Sequence, residues 1–133
     1  MENKFTRKLI TLSTQLYIGW VLFIALLTLL PGQLIPNIID WNFLSLDKII
    51  HFTVFTVLSL LGGISLKYGR WRQKVAYPVL TSVLVALAYG TALEFTQALV
   101  PQRTFDYADL TANATGACFG VLLFMFFNNK LNQ

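Results

Sequence analysis

Four long apolar runs dominate the sequence, and short polar or charged stretches separate them. A helix that crosses the hydrocarbon core of a bilayer needs ~20 mostly apolar residues. The runs therefore predict membrane helices over about residues 12–30, 47–66, 75–100 and 108–127. Because proline cannot continue a helix and glycine tolerates a tight turn, Pro31 and Gly32 are predicted to end the first helix.

The composition agrees with a membrane protein. Of the 133 residues, 56% are hydrophobic and 12% are charged, whereas a soluble domain usually has about 25% charged residues. A small soluble domain could not hide so much apolar surface from water. We therefore expect one all-α transmembrane domain over residues 1–133, built as a four-helix bundle. The first run is long for a cleaved signal peptide, and no small-x-small site precedes Pro31, so we expect a retained helix.

The basic residues predict how the bundle is oriented. Eight of the ten would lie on one side of a four-pass chain: Lys4, Arg7, Lys8, Lys67, Arg70, Arg72, Lys74 and Lys130. Basic residues favour the cytoplasmic side, so both termini are predicted to be cytoplasmic. Five acids fall on or near the opposite, outer side: Asp40, Asp47, Glu94, Asp106 and Asp109. Because the net charge of +4 is split into short clusters beside apolar segments, we exclude a nucleic-acid-binding face.

Polar residues at helical spacing lie near the outer ends of the second and third helices. Asp47 and His51 are four residues apart, so they share one face of the second helix. Lys48 is expected to point elsewhere and to reach the lipid headgroups. Glu94 and Gln97 share a face of the third helix. An ionisable residue such as Glu94 inside a membrane helix usually marks a functional site.

The fourth helix carries a seam that is polar at its outer end and small further in. Its members step by three or four residues: Asp106, Asp109, Asn113, Gly116 and Gly120. That period matches a helix–helix contact, in which glycine allows close approach. Gly90 in the third helix has the same property.

The predicted depths of the polar residues agree. At 1.5 Å per residue, Glu94 would lie on the order of 10 Å inside the outer end of its helix, taken at Pro101. His51 would lie roughly 6 Å inside the second helix, and Asn113 roughly 7 Å inside the fourth. We therefore expect one outward-facing polar pocket with Arg103 above it. The residues predicted to line the pocket are Asp47, His51, Glu94, Gln97, Asp109 and Asn113.

The chemistry of these residues leaves several uses open. The catalytic candidates are His51, Glu94 and Asp109; the substrate-binding candidates are Asp47, Gln97, Arg103, Asp106 and Asn113. They could supply a general acid/base pair, a divalent-metal site, or a hold on a phosphate or carboxylate headgroup. No spacing is diagnostic of a metal site, so we assign no metal ligand and no cofactor. The acids at helix N-termini could instead cap backbone amides, and the amide side chains could simply bind helices together.

Three separated motifs resemble the VanZ-like family of bacterial membrane proteins. They are DKxxHF, ExxQ and PxRTFDxxDxxANxxG, at residues 47–52, 94–97 and 101–116. The resemblance covers about residues 40–127. It implies a place in the bacterial cytoplasmic (inner) membrane. It also implies a connection with glycopeptide antibiotics, because the family's namesake is associated with raised resistance to teicoplanin, which binds peptidoglycan precursors outside the membrane.

We therefore expect the protein to bind or modify an envelope amphiphile: a phospholipid, a lipid-linked cell-wall precursor or a glycopeptide antibiotic. The residues do not decide whether a reaction is catalysed or whether the chain forms a homo-oligomer. A second hypothesis is a structural or accessory protein that contacts partner helices through the Gly90, Gly116 and Gly120 surfaces. A third is a proton-coupled transporter with Glu94 as carrier, although four helices without a second polar cluster across the membrane suit alternating access poorly.

Overall fold

The computed structural model describes residues 4–30, 46–101 and 103–131, and their regular secondary structure is entirely helical. The helices are α1 (Lys4–Leu29), α2 (Leu46–Tyr68), α3 (Pro78–Gln97) and α4 (Tyr107–Leu131). Each contains a stretch long and apolar enough to cross a membrane. The predicted all-α class with four membrane helices is confirmed, while the side on which the termini lie stays a prediction. The predicted stop at Pro31 and Gly32 and the acid Asp40 lie outside the described residues.

Local chemistry sets both ends of α3. The helix begins at Pro78, later than predicted, because proline at a first helical position lacks only an amide hydrogen that would be unpaired there. The helix ends at Gln97 rather than at the predicted Val100. The backbone N–H of Val100 donates to the carbonyl oxygen of Gln97 at 2.9 Å, three residues earlier, whereas an α-helical bond spans four residues. The tightening comes just before Pro101, which disfavours helical backbone in the residue preceding it.

α2 and α4 make the most extensive contact in the bundle, and they run parallel. One register is kept along their length: His51 contacts Asn113 near the start of both helices, and Lys67 Nζ donates to Asn128 Oδ1 at 2.7 Å near their ends. α3 packs against both helices in the opposite direction. The N-termini of α2 and α4 therefore meet the C-terminus of α3 at one end of the bundle.

Glycine permits the close approach of α2 and α4. A Cβ atom on Gly116 would overlap the carbonyl oxygen of Phe52, and one on Gly120 would overlap that of Thr56. Small residues at this spacing are typical of contacts between membrane helices. Gly90 is likewise buried against a neighbouring helix. These three glycine surfaces are thus occupied inside the chain, contrary to the hypothesis that they receive a partner helix.

Hydrogen bonds to backbone carbonyls attach α1 to the rest of the bundle. Trp20 Nε1 donates to the carbonyl oxygen of Val54 in α2 at 3.0 Å, and the Tyr89 hydroxyl of α3 donates to that of Val21 at 2.6 Å. Such bonds are worth roughly 0.6–2 kcal/mol in a membrane, where packing provides most of the association energy. One cluster of buried apolar side chains joins the four helices and contains Ile24, Phe55, Leu58, Ala86, Leu93 and Ala117.

Candidate functional site

The end of the bundle where α2 and α4 begin and α3 finishes, here called the polar end, holds the predicted site residues. Five of them gather around the ring of His51. The parallel register of α2 and α4, with α3 packed against both, places four side chains within 4.0 Å of its nitrogens: Asp47, Glu94, Asp109 and Asn113. Their roles in binding or catalysis stay predictions. The positions alone show that three helices deliver these side chains to one place.

Lys48 lies at the centre of the carboxylates. Its Nζ is 2.6 Å from Asp106 Oδ2 and 3.3 Å from Asp47 Oδ2, and it also bonds Asp109 Oδ1. The prediction that Lys48 points away from the site was wrong. Lys48 instead makes charge-assisted hydrogen bonds to one acid of its own helix and to two acids at the start of α4.

Asp106 is both a helix cap and a partner of Lys48. Its Oδ1 accepts the backbone N–H of Ala108 at 2.7 Å at the start of α4, as predicted for an N-cap residue. The hydrogen bond from Lys48, helped by the one from Ala108, holds the pKa of Asp106 below its ordinary value of 3.8. Asp106 is therefore ionised whenever the protein is near neutral pH.

His51 stands between an amide on one edge and carboxylates on the other. Its Nδ1 lies 2.9 Å from Asn113 Oδ1. Because an amide oxygen can only accept, Nδ1 is the donor. Its Nε2 faces Asp47 Oδ1 and Asp109 Oδ2, each at 3.8 Å, which is too long for a hydrogen bond. Two acids thus use one oxygen for Lys48 and turn the other toward His51.

Glu94 is almost completely buried, with 1% of its surface exposed. Within the described residues neither carboxylate oxygen makes a hydrogen bond of good geometry, although the backbone of Asp106 lies near. The closest ionisable group is His51, with Nδ1 at 4.0 Å from Glu94 Oε1. Because α3 finishes at Gln97, Glu94 lies in the last turn of α3, about 4.5 Å from its end, rather than at the predicted depth.

Two predicted binding residues lie at the polar end without joining the cluster. Gln97 is the last residue of α3 and is 4% exposed. Arg103 lies in the connection between α3 and α4, where its Nε is buried and has no hydrogen-bond partner within the described residues. Among those residues neither side chain makes an ion pair or hydrogen bond with the carboxylates around Lys48.

Comparison with known proteins gives one family and one relative of undetermined role. The family model described as VanZ/LLP1 matches residues 5–128. Over 84 residues the chain is 31% identical to an uncharacterized protein of Schizosaccharomyces pombe, an alignment that covers 63% of this chain and 49% of that protein. The aligned part thus spans about half the length of the relative. No solved structure matches the chain significantly.

Proposed function

The chain belongs to the VanZ/LLP1 family of proteins, and from this membership we propose that it binds the headgroup of an envelope amphiphile at the polar end. The candidate ligands are a phospholipid, a lipid-linked cell-wall precursor and a glycopeptide antibiotic. In this proposal the polar end faces outward. Glu94 and His51 contact the headgroup, Arg103 holds its anionic group, and Asp47, Gln97, Asp106, Asp109 and Asn113 form the walls or orient the contacts.

The carboxylate of Glu94, which is buried and has no hydrogen bond among the described residues, carries the proposal. A charged side chain at the centre of a membrane helix costs about 2.5–3.5 kcal/mol on insertion scales, and even near the end of α3 a purely structural acid that is 1% exposed would be expected to have a close partner. Within the described part of the chain Glu94 instead keeps two acceptor oxygens without a well-formed hydrogen bond, and Arg103 Nε is a buried donor without an acceptor. A ligand that combines an anionic group with a hydrogen-bond donor would satisfy both.

The surroundings of the polar end suit an amphiphile rather than a soluble molecule. Large apolar side chains close to the site are exposed on the surface of the bundle, by 62% for Phe95, 83% for Leu99 and 77% for Tyr107. Aromatic residues at this level are typical of the boundary between the hydrocarbon core and the headgroups. Acyl chains could thus lie along the bundle while the headgroup reaches the polar residues.

Lipid retention by purified protein tests the proposal. Phosphatidylethanolamine presents a phosphate and an N–H donor, whereas phosphatidylcholine presents a phosphate without such a donor. We expect native mass spectrometry to show preferential retention of phosphatidylethanolamine, and Glu94→Gln to remove that preference. Thr96→Ala, on the exposed side of the same turn, is the matched control and should keep it. Equal retention of both lipids by wild type, unchanged in Glu94→Gln, would refute the proposal.

The link to glycopeptide resistance is tested in cells. We expect expression of the wild-type protein to raise the teicoplanin concentration that stops growth, and Glu94→Gln or His51→Ala to abolish the increase.

The alternative of a structural or accessory protein is favoured by the position of Lys48, which joins α2 to α4 through three acids. Melting temperatures in detergent separate the two: inactive variants that melt like wild type indicate a site, and inactive variants that melt early indicate a structural role.

A further inference from the structure

We propose that Asp47, His51 and Asp109 form a binding site for one divalent transition-metal ion, with Zn²⁺ as the representative. Each offers one ligand atom, and these atoms lie within 4.8 Å of one another. The site shares His51, Asp47 and Asp109 with the proposed headgroup pocket, but the argument for it does not depend on the contacts proposed for Glu94 and Arg103. The inference rests on the geometry around His51 Nε2 and on the balance of charge at the polar end.

The nitrogen of His51 that faces the acids is prepared to bind a cation. Since Nδ1 donates to Asn113 Oδ1 at 2.9 Å, neutral His51 keeps its lone pair on Nε2. Asp47 Oδ1 and Asp109 Oδ2 each lie 3.8 Å from this nitrogen. Three groups rich in electrons then face one another without a hydrogen bond between them, and a cation between them removes the repulsion.

The spacing fits ligands of one ion. Zn²⁺ binds nitrogen and oxygen at about 2.0–2.2 Å, so two ligand atoms of a tetrahedral site lie roughly 3.3–3.6 Å apart. The two distances of 3.8 Å from His51 Nε2 exceed this separation by a few tenths of an ångström. The widest separation, within 4.8 Å, needs side-chain adjustments of about 1–1.5 Å in total. Three protein ligands with an open fourth position is the arrangement of catalytic zinc sites, and mixed imidazole and carboxylate ligands favour a first-row transition metal over Mg²⁺.

Neighbouring side chains orient the three ligands. Asn113 holds the ring of His51 by its second nitrogen, as outer partners of metal-binding histidines commonly do. Lys48 bonds Asp47 Oδ2 and Asp109 Oδ1, which turns the remaining oxygen of each acid toward His51. The three ligands are thus held in place before an ion arrives.

The described residues of the polar end carry more acids than permanent cations, with four carboxylates against Lys48 and Arg103. Asp47, Asp106 and Asp109 surround the single ammonium of Lys48, and Glu94 adds a fourth carboxylate that is 1% exposed and lacks a well-formed hydrogen bond in the described part of the chain. Glu94 lies 4.0 Å from the other ring nitrogen of the proposed ligand His51. In the low dielectric of a membrane an excess of acids favours a bound cation.

Zinc binding by the full-length protein in lipid nanodiscs tests the inference. After chelator treatment, wild type should take up one Zn²⁺ per chain and melt at a higher temperature in its presence, whereas Mg²⁺ should have no effect. His51→Ala and Asp109→Asn should lose the stoichiometric ion, and Asn113→Ala should weaken binding by roughly 10- to 100-fold. Asp106→Asn removes an acid that contacts Lys48 but not His51, so it should keep one bound ion and lose less affinity than Asp109→Asn. Thr111→Ala, at an exposed position of α4, is the matched control and should bind like wild type.

Two outcomes would overturn the metal site. One is a wild-type protein that shows neither saturable Zn²⁺ uptake nor a shift in melting temperature, which identifies His51 as an ordinary partner of the acids. The other is an equal loss of binding in Asp106→Asn and Asp109→Asn, which indicates a diffuse attraction to acids. The melting shift of wild type needs no variant to fold. Lipid retention measured without metal tests the headgroup proposal separately, so the two can fail independently.

Discussion

Single residues at the polar end compensate one another's charge. Lys48 bonds the carboxylates of Asp47, Asp106 and Asp109, and its own side chain is 27% exposed. The first turns of α2 and α4 attract acids because helix N-termini carry partial positive charge. Three acids so close together would repel one another, and Lys48 removes that repulsion. A membrane helix therefore tolerates a charged lysine here because two of its three partners, Asp106 and Asp109, come from the start of α4.

Replacing Lys48 tests this role. Lys48→Gln leaves the acids uncompensated, and we expect it to destabilise the folded protein by about 2 kcal/mol, less than for a fully buried pair because the cluster is partly exposed. The melting temperature in detergent at neutral pH measures the effect. Lys67→Gln is the control: Lys67 bonds the uncharged Asn128, so its loss should cost roughly 1 kcal/mol or less. Equal destabilisation by both changes would contradict the interpretation.

Asp106 predicts a dependence of stability on pH. Its pKa is lower in the folded protein than its ordinary value of 3.8, so the ionised acid stabilises the fold. That contribution is fully present above the ordinary pKa and is lost as the pH falls through the lowered one. We expect the difference in melting temperature between wild type and Asp106→Asn to be largest near neutral pH and to shrink below pH 3.8. A constant difference down to acid pH would contradict the lowered pKa.

At the scale of elements, the parallel pair of α2 and α4 decides where everything else lies. Gly116 and Gly120 fix the distance between these helices, and the resulting register places His51 beside Asn113 and Lys48 beside Asp109. When two helices pack this closely, the side-chain ridges of one helix fit the grooves of the other in only a few relative positions. The polar contacts at one end are thus a consequence of apolar packing along the whole pair.

Two glycine substitutions separate packing from helix propensity. Gly116→Ala places a methyl group against the Phe52 carbonyl, and we expect it to destabilise the bundle by about 1–3 kcal/mol through overpacking. Gly19→Ala meets nothing within 4 Å and should be neutral or stabilising by up to about 1 kcal/mol, because alanine favours the helix. Melting temperatures in detergent give the comparison. Similar values for both variants would mean that the α2–α4 contact is looser than described.

At the scale of the whole molecule, the two ends of the bundle differ in charge. Acids and Lys48 occupy the polar end, whereas Lys67, Arg70 and Arg72 lie at the opposite end, where α2 finishes. The positive-inside rule predicts that this opposite end is cytoplasmic and that the polar end faces outward. The proposed ligands are envelope molecules, so the orientation of the bundle in the membrane decides whether the polar end can bind them.

Cysteine labelling in intact cells tests the direction. In a Cys118→Ala background we would introduce Thr104→Cys at the polar end and Gln73→Cys at the opposite end, both at exposed positions. A membrane-impermeant maleimide should label Thr104→Cys in intact cells and Gln73→Cys only after lysis. The reverse pattern would invert the predicted topology and remove the outer leaflet from the proposed function.

The helices could be predicted because the membrane itself sets their length. An apolar run of sufficient length must satisfy its backbone hydrogen bonds internally, and this makes it a helix whatever its neighbours are. Spacing along one helix also places residues on a common face, as Asp47 and His51 show. The gathering of polar side chains near one end follows from these two local rules and from the order of the helices. The three sequence motifs also predicted the family, and the match to the VanZ/LLP1 family model confirmed it.

Other features depend on the distance and register between helices, which no single run encodes. Three such features arise where α4 meets α2 and α3: the set of acids that bond Lys48, the carboxylate of Glu94 that has no hydrogen bond among the described residues, and the two acids that face His51 Nε2. The prediction that Lys48 reaches the headgroups was wrong because helical periodicity describes the faces of one helix only. It carries no information about the acids at the start of α4 that bond Lys48. The sequence by itself therefore determined the spans and the polar end. Only packing decided which charges are paired there, because electrostatic energies change steeply over a few ångströms.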